Sequence, residues 1–365
     1  MLKINKESQV LVFSDTSLNT SLIRANNPRA IYFNDDTYVA WVPGADKFEI
    51  STMDPNLGPI FYTLESNNVA MGFTRHAGQC LRCHDSYTLT GGGVPRFIIG
   101  SGYTNFTGAL VSHEGWILTT QETPLKSRWG GWYVTGEHGS QVHLGNIVVR
   151  NPEELQNLEA LRIRNLNTVT DFINSENYLS AYSDIDSLMV LEHQVHIQNL
   201  ITRVNYDVRK TLFEFASNNM GTDIETSDLK LAQISNIIEP FVKSILMVNE
   251  AELHAPIVGN SGFRTKFENQ GPFDSKSRTL RELDLKTRLF RYPLSYLIYS
   301  EAFDALPDIA REYVYHRLDI ILSGKARTKI FSQIGESERT AVKEILIETK
   351  PEFLKYLDGL DSNLL

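Results

Sequence analysis

Only two cysteines occur in the 365 residues, Cys80 and Cys83. They lie three positions apart, so no framework of structural disulfides holds this chain together. Nowhere do 18 or more apolar residues follow one another, which removes a membrane-spanning helix. Basic charge is in deficit and the formal net charge is −9. That balance argues against a nucleic-acid partner and against adsorption to anionic lipid. Internal repeats, low-complexity tracts and a clean linker are also missing. What remains is 42% hydrophobic and 22% charged, an ordinary globular balance that suits one large domain or two intimate ones.

The first half alternates short β-branched and aromatic runs with turn formers. QVLVFS (9–14), AIYFN (30–34), TYVAWVP (37–43), FEIST (48–52), PIFYTLE (59–65), RFIIGSGY (96–103), ALVSHEGWILTTQ (109–121), WGGWYVTG (129–136) and NIVVR (146–150) read as strands. NDD, PGAD, DPNLGP and GGG separate several of them. The second half carries apolar residues at helical spacing in 152–175, 184–217, 225–249, 279–304, 307–323 and 336–358. Pro240, Pro293 and Pro307 are expected to break or open helices, and 254–278 reads as a long loop. The expected class is α+β: a strand- and loop-rich region over 1–150 packed on a helical region over 151–365, as one composite body.

Between the strands stands HAGQCLRCHDS, which contains Cys80, Cys83 and His84 in C-x-x-C-H spacing. This is the attachment signature of c-type haem. Two thiols must reach two fixed vinyl positions on one edge of a rigid ring. The histidine that follows is then placed to bind the iron as its proximal ligand. Two other readings use the same residues. A zinc site would take Cys80, Cys83 and His84, but no further cysteine supplies a second ligand pair. A thioredoxin-like pair would sit between a strand and a helix, whereas DSYTLTGGGVPR after the motif reads as a loop.

A proximal histidine leaves one axial position open. The nine histidines are His76, His84, His113, His138, His143, His193, His196, His254 and His316. In 184–217, Glu192, His196, Asn199, Arg203 and Tyr206 form one narrow polar stripe at 100° per residue. Leu191 and Val195 flank it on one side, and Met189, His193, Ile197, Leu200 and Val204 on the other. Gln194, Gln198 and Asn205 form a second polar sector, expected to face water. A polar stripe between apolar flanks reads as a buried seam that needs partners. The stripe is then either a structural hydrogen-bond network or a second wet face, or else a seam that borders the haem or a bound substrate. His196 is the first candidate for a distal ligand or distal acid–base group, and His193 the second. Arg203 is the matching charge stabiliser.

The stretch 128–146 supplies Trp129, Trp132 and Tyr133, either as a core hairpin or as packing against a porphyrin face. It also holds His143, and a Gly136–Gly139 turn expected to expose His138. Arg75, Arg82 and Arg96 near the motif, and Arg288, Arg291, Tyr292 and Tyr296 further on, are candidate partners for haem carboxylates. Gly91, Gly92 and Gly93 lack the ending of a phosphate loop and are expected to let backbone approach the haem.

At Cys80–His84 the chain resembles c-type cytochromes. AIYFNDDTYVAWVPG, CLRCHDSYTLTGGGVPR, RWGGWYVTGEHG and LKTRLFRYPLSYLIYS resemble, across most of the chain, a family of large bacterial haem-attachment proteins with a single such motif. That likeness implies one covalent haem c and electron transfer at Cys80, Cys83 and His84, and supplies no second iron ligand. The common small cytochrome fold is not expected, because the next methionine after Cys83 is Met189.

The leading expectation is an electron carrier with six-coordinate iron and His196, His193, His138 or His143 opposite His84. The alternative is a peroxidase-like or oxygen-using oxidoreductase with an open distal site, and a third reading makes the haem a structural pin. The partner is a redox protein or a small-molecule substrate. Haem c is attached on the outer side of an energy-transducing membrane, so a periplasmic or exported location is expected. The first residues, MLKINKESQVLVFSD, carry no signal-peptide run, so that expectation entails a trimmed or displaced start.

Overall fold

The computed structural model describes residues 2–66, 72–111, 116–161, 165–217, 224–326 and 328–362. The β-rich half forms a seven-stranded antiparallel sheet from β1 (Val10–Val12), β2 (Arg29–Phe33), β3 (Thr37–Trp41), β4 (Lys47–Asp54), β5 (Gly58–Glu65), β6 (Thr74–Arg75) and β9 (Trp132–Tyr133). The strand order is β6-β5-β4-β3-β2-β1-β9. The turns are closed by their own side chains. Asn34 Oδ1 accepts from the amides of Asp36 and Thr37, and Asp54 Oδ1 from those of Asn56 and Leu57. These turns fix the register, so Ile31, Ala40, Glu49 and Thr63 form one cross-strand row. Phe33, Tyr38, Ser51 and Phe61 form the next row on the same face.

A small second sheet pairs β7 (Gly100–Ser101) with β8 (Ile117–Leu118). The runs 96–103, 109–121 and 129–136 therefore yield two-residue strands, and 146–150 yields an isolated bridge at Val148. Part of 109–121 lies outside the described residues.

Two short helices, α1 (Gly78–His84) and α2 (Tyr87–Thr90), follow β6. The helical half is organised on α3 (Ile185–Ser217), which packs on α4 (Ile224–Ile245); α4 packs on α7 (Asp308–Leu322), and α7 on α8 (Glu336–Thr349). Pro240 sits inside α4 without ending it, because packing on both sides overrides the lost hydrogen bond. Lys350-Pro351 splits 336–358 into α8 and α9 (Pro351–Ser362).

Two expected helices are absent. Residues 152–161 are a kinked 3₁₀ stretch, and the chain from 165 to 174 is irregular. Residues 279–304 are mostly irregular, with a 3₁₀ turn at Tyr296–Tyr299 and the short α6 (Glu301–Asp304). Their apolar residues are nonetheless core residues, Leu280, Phe290 and Leu297 among them. The expected loop 254–278 contains α5 (Phe263–Glu268).

One apolar core runs from Val10 and Trp132 through Leu188 and Ile197 of α3 to Phe241, Leu318 and Ile345. The class is α+β, with strands in the first half and helices in the second. Among the described residues no helix is long and apolar enough to cross a membrane.

Candidate cofactor site

Helical spacing in α1 sets Cys80, Cys83 and His84 at i, i+3 and i+4, which is one side of a helix. All three line a cavity of about 580 Å³, within the roughly 300–1,000 Å³ usual for small-molecule and cofactor sites. The sheet supplies one wall through Ile31, Tyr38, Ala40, Ser51 and Phe61. Phe97, Ile99, Trp116 and Trp132 supply a second, and Leu191 and Val195 of α3 a third.

His84 packs against Phe61, with ring centroids 4.3 Å apart. Its Nδ1 lies 2.7 Å from the carbonyl oxygen of Arg96. A carbonyl can only accept, so Nδ1 carries the proton and Nε2 keeps the lone pair a metal needs. Burial pushes the His84 pKa down, which favours the neutral, ligating form.

Cys80 is half-buried, Cys83 is exposed, and neither is in a disulfide. Burial, then the charge of Glu49, raises the Cys80 pKa. A raised thiol is the opposite of what a thioredoxin-like nucleophile requires. Nor are Cys80, Cys83 and His84 arranged as a zinc set: among the described residues no group of three His, Cys, Asp or Glu side chains could hold a metal ion. Two thiols on one rim, one oriented imidazole and apolar walls do fit a flat, largely apolar macrocycle tethered at two points and ligated once.

The polar stripe of α3 does not face this cavity; its Leu191 and Val195 flank does. Glu192 pairs with Arg128 at 3.0 Å, both side chains buried. His196 Nε2 lies 3.3 Å from Ser244 Oγ. Asn199 binds the backbone of Phe97, Arg203 donates to the Gly92 carbonyl at 2.9 Å, and Tyr206 donates to the Leu57 carbonyl. Each of the five stripe residues thus has a hydrogen-bond or ion-pair partner within the chain. The second sector is buried rather than wet. Gln194 and Gln198 share Tyr38 Oη and bind the carbonyls of Asn34 and Asp35, and Asn205 binds that of Pro55.

None of His193, His196, His138 and His143 is a cavity-lining residue. His193 is fully buried, with Nδ1 against Gln121 Oε1 and Nε2 2.8 Å from Ser295 Oγ. His138 is buried at 3% exposure rather than displayed on a turn; its Nδ1 donates to the Gln141 carbonyl at 2.7 Å. His143 packs between Trp129 and His138, and His113 lies outside the described residues. Of the aromatic trio only Trp132 reaches the cavity. Trp129 is buried against His143, and Tyr133 turns to the other face against Phe13.

The expected carboxylate partners also lie elsewhere. Arg75 and Arg82 are exposed and Arg96 is half-buried, none of them lining the cavity. Arg288 and Arg291 pair with Glu338 and Glu282, and Tyr292 and Tyr296 are core residues of the helical half. Gly91–Gly93 pack near Tyr87 and Arg203 and do not line the cavity.

The arginine on the wall is Arg29, paired with Glu49 at 2.9 Å. Asn19 donates to the other Glu49 oxygen at 2.9 Å. Arg29 lies one residue ahead of AIYFN, on the face shared by Ile31 and Phe33, so extending the alternation one step back would have found it.

Against protein-family models, curated proteins and solved structures, the chain shows no match.

Proposed function

We propose that this is a c-type haem protein that transfers electrons outside the cytoplasm, with one haem c held through thioethers at Cys80 and Cys83 and His84 as proximal iron ligand. A single observation carries the reading: the three side chains of the motif line one rim of an apolar cavity, and His84 is oriented there by the Arg96 carbonyl. When bound, the haem supplies a one-electron iron centre.

The chain's own residues then divide the work. Cys80 and Cys83 fix the ring edge. The carbonyl on Nδ1 sets the His84 tautomer and raises the basicity of Nε2. The walls of Phe61, Phe97, Ile99, Trp132, Leu191 and Val195 exclude water, which governs potential through the local dielectric.

A second reading, a haem oxidoreductase with an open distal site, gains support from the placement of His138, His143, His193 and His196 away from the cavity. Its substrate would be a small molecule admitted opposite His84.

The test is optical and chemical. Protein exported through a haem-attachment system should show a covalent haem band on a denaturing gel. Cys80→Ala with Cys83→Ala should abolish that band. A colourless protein, zinc on the thiols, or a band that survives the double substitution would overturn the haem reading. Sharp reduced α and β bands that ignore carbon monoxide select the carrier, and a high-spin iron that binds it selects the open site.

A further inference from the structure

Helix α3 holds the peptide on which His84 leans. The carbonyl that accepts from His84 Nδ1 and the amide N–H of Phe97 belong to one peptide unit, the bond between Arg96 and Phe97. That unit is planar, so its two ends move together. One end accepts from His84 Nδ1 at 2.7 Å. The other donates to Asn199 Oδ1 at 2.8 Å. Asn199 Nδ2 also donates to the Phe97 carbonyl at 2.9 Å, so one side-chain amide pairs with both backbone groups of a single residue. The Arg96 amide returns to the His84 carbonyl at 2.8 Å. One turn along α3, Arg203 donates to the Gly92 carbonyl at 2.9 Å. Gly91, Gly92 and Gly93 all have positive φ, between +64° and +78°, so the start of this segment has little stiffness of its own.

We infer that Asn199 is a positioning residue for His84, acting through the Arg96–Phe97 peptide to set how strongly His84 Nδ1–H is drawn and thus how basic Nε2 is. A peptide that donates at its N–H becomes a better acceptor at its C=O, because hydrogen bonds in a chain polarise one another. The chain runs from Asn199 Oδ1 through the peptide to Nδ1–H, and its effect appears at Nε2. A histidine that donates more strongly at Nδ1 is the more basic ligand. A more basic ligand favours oxidised iron, so the reduction potential is held lower with Asn199 than without it. This inference rests on the haem reading only for its redox consequence, because every link of the hydrogen-bond chain is made by the protein's own atoms.

The experiment uses the full-length chain in two forms, with Asn199→Leu and Asn199→Asp. In haem-free protein, nitrogen-resolved NMR reads the His84 Nδ1–H proton. The leucine variant should move it upfield and speed its exchange with solvent several-fold. The aspartate variant, which keeps an acceptor for the Phe97 amide, should leave it at or downfield of its original position. In haem-loaded protein the leucine variant should shift the midpoint potential upward and the aspartate variant should not.

A folded leucine variant with an unmoved proton overturns the inference. If leucine abolishes folding, the aspartate variant decides alone: an upfield shift there overturns it. A moved proton in protein that takes up no haem leaves the relay standing and removes the haem reading. An unmoved proton in the haem-free form, together with covalent haem and an unshifted midpoint potential in the loaded form, does the reverse.

Discussion

Arg29 on β2 and Glu49 on β4 meet at 2.9 Å across the intervening strand, on the wall of the cavity that Cys80 and His84 also line. Their side chains are 15% and 17% exposed, and Ala40, which pairs with Glu49 in the sheet, lines the same cavity wall. The Glu49 charge adds to burial in raising the Cys80 thiol. Glu49→Gln should therefore lower the Cys80 pKa and speed its alkylation at fixed pH in haem-free protein. Cys83, whose exposure differs, is the internal reference, and mass spectrometry of the two labelled sites reads the ratio. A ratio that does not change would show that desolvation alone governs Cys80.

Gly100 lies under the indole of Trp116. A β-carbon at this position would come within 2.0 Å of the ring, and Trp132 Nε1 donates to the Gly100 carbonyl at 2.9 Å, so the backbone cannot simply retreat. Gly100→Ala should push Trp116 off the cavity wall at a cost of about 1–3 kcal/mol, the usual range for overpacking. Tryptophan emission should shift to the red and covalent haem per chain should fall. Unchanged emission and full haem content would mean that Trp116 is dispensable to the wall.

The spacing of Cys80, Cys83 and His84 was legible in sequence, but their helix was not: DSYTLTGGGVPR reads as a loop, and α1 and α2 are too short for apolar periodicity to reveal them. The α3 stripe and both its flanks were legible from helical periodicity. Which flank meets the cavity was not, since periodicity orders residues around a helix without naming their neighbours. Residues 279–304 misled because an irregular chain buried in a core repeats apolar residues about as often as a helix does. His138 misled because glycine-flanked turns are usually at the surface; here Gln141 and the Asn165 side chain capture the turn from inside. The Arg29–Glu49 pair needed the three-strand register, which no single segment encodes.

Arg128 and Glu192 form an ion pair with side-chain exposures of 4% and 0%. Arg128 also donates to the carbonyls of Thr123 and Gln121. Burial raises the Glu192 pKa, and Arg128 acts against it. Arg128→Met strands the carboxyl, and removing one partner of a buried pair costs about 3–5 kcal/mol. Adding Glu192→Leu should recover part of that loss, but not all, because the two carbonyls stay without their donor. Urea unfolding of the single and double variants measures both steps. A single variant within 1 kcal/mol of the parent, on the order of an exposed pair, would show that water reaches Glu192.

Burial holds the pKa of His193 down to about 3 and that of His196 down to about 4, with the neighbouring charge of Arg96 adding to the effect on His196. Above the unfolded pKa of about 6.5 both rings are neutral whether the chain is folded or not, so neither alters stability. Below it the unfolded chain binds protons that the folded chain refuses, so each histidine removes stability as pH falls from about 6.5 toward its folded value. For His196 the loss by pH 4 is on the order of 3 kcal/mol. Asp186 and Glu250, raised by burial to about 8 and about 7, work the other way and gain stability over the same descent. The parent's profile is therefore a sum, and the difference between proteins isolates the histidine. His196→Gln, neutral at every pH, should lose less stability than the parent between pH 6.5 and 4. Denaturant midpoints taken at half-unit steps read this difference. Parallel profiles would mean that His196 takes its proton as readily in the folded chain as in the unfolded one.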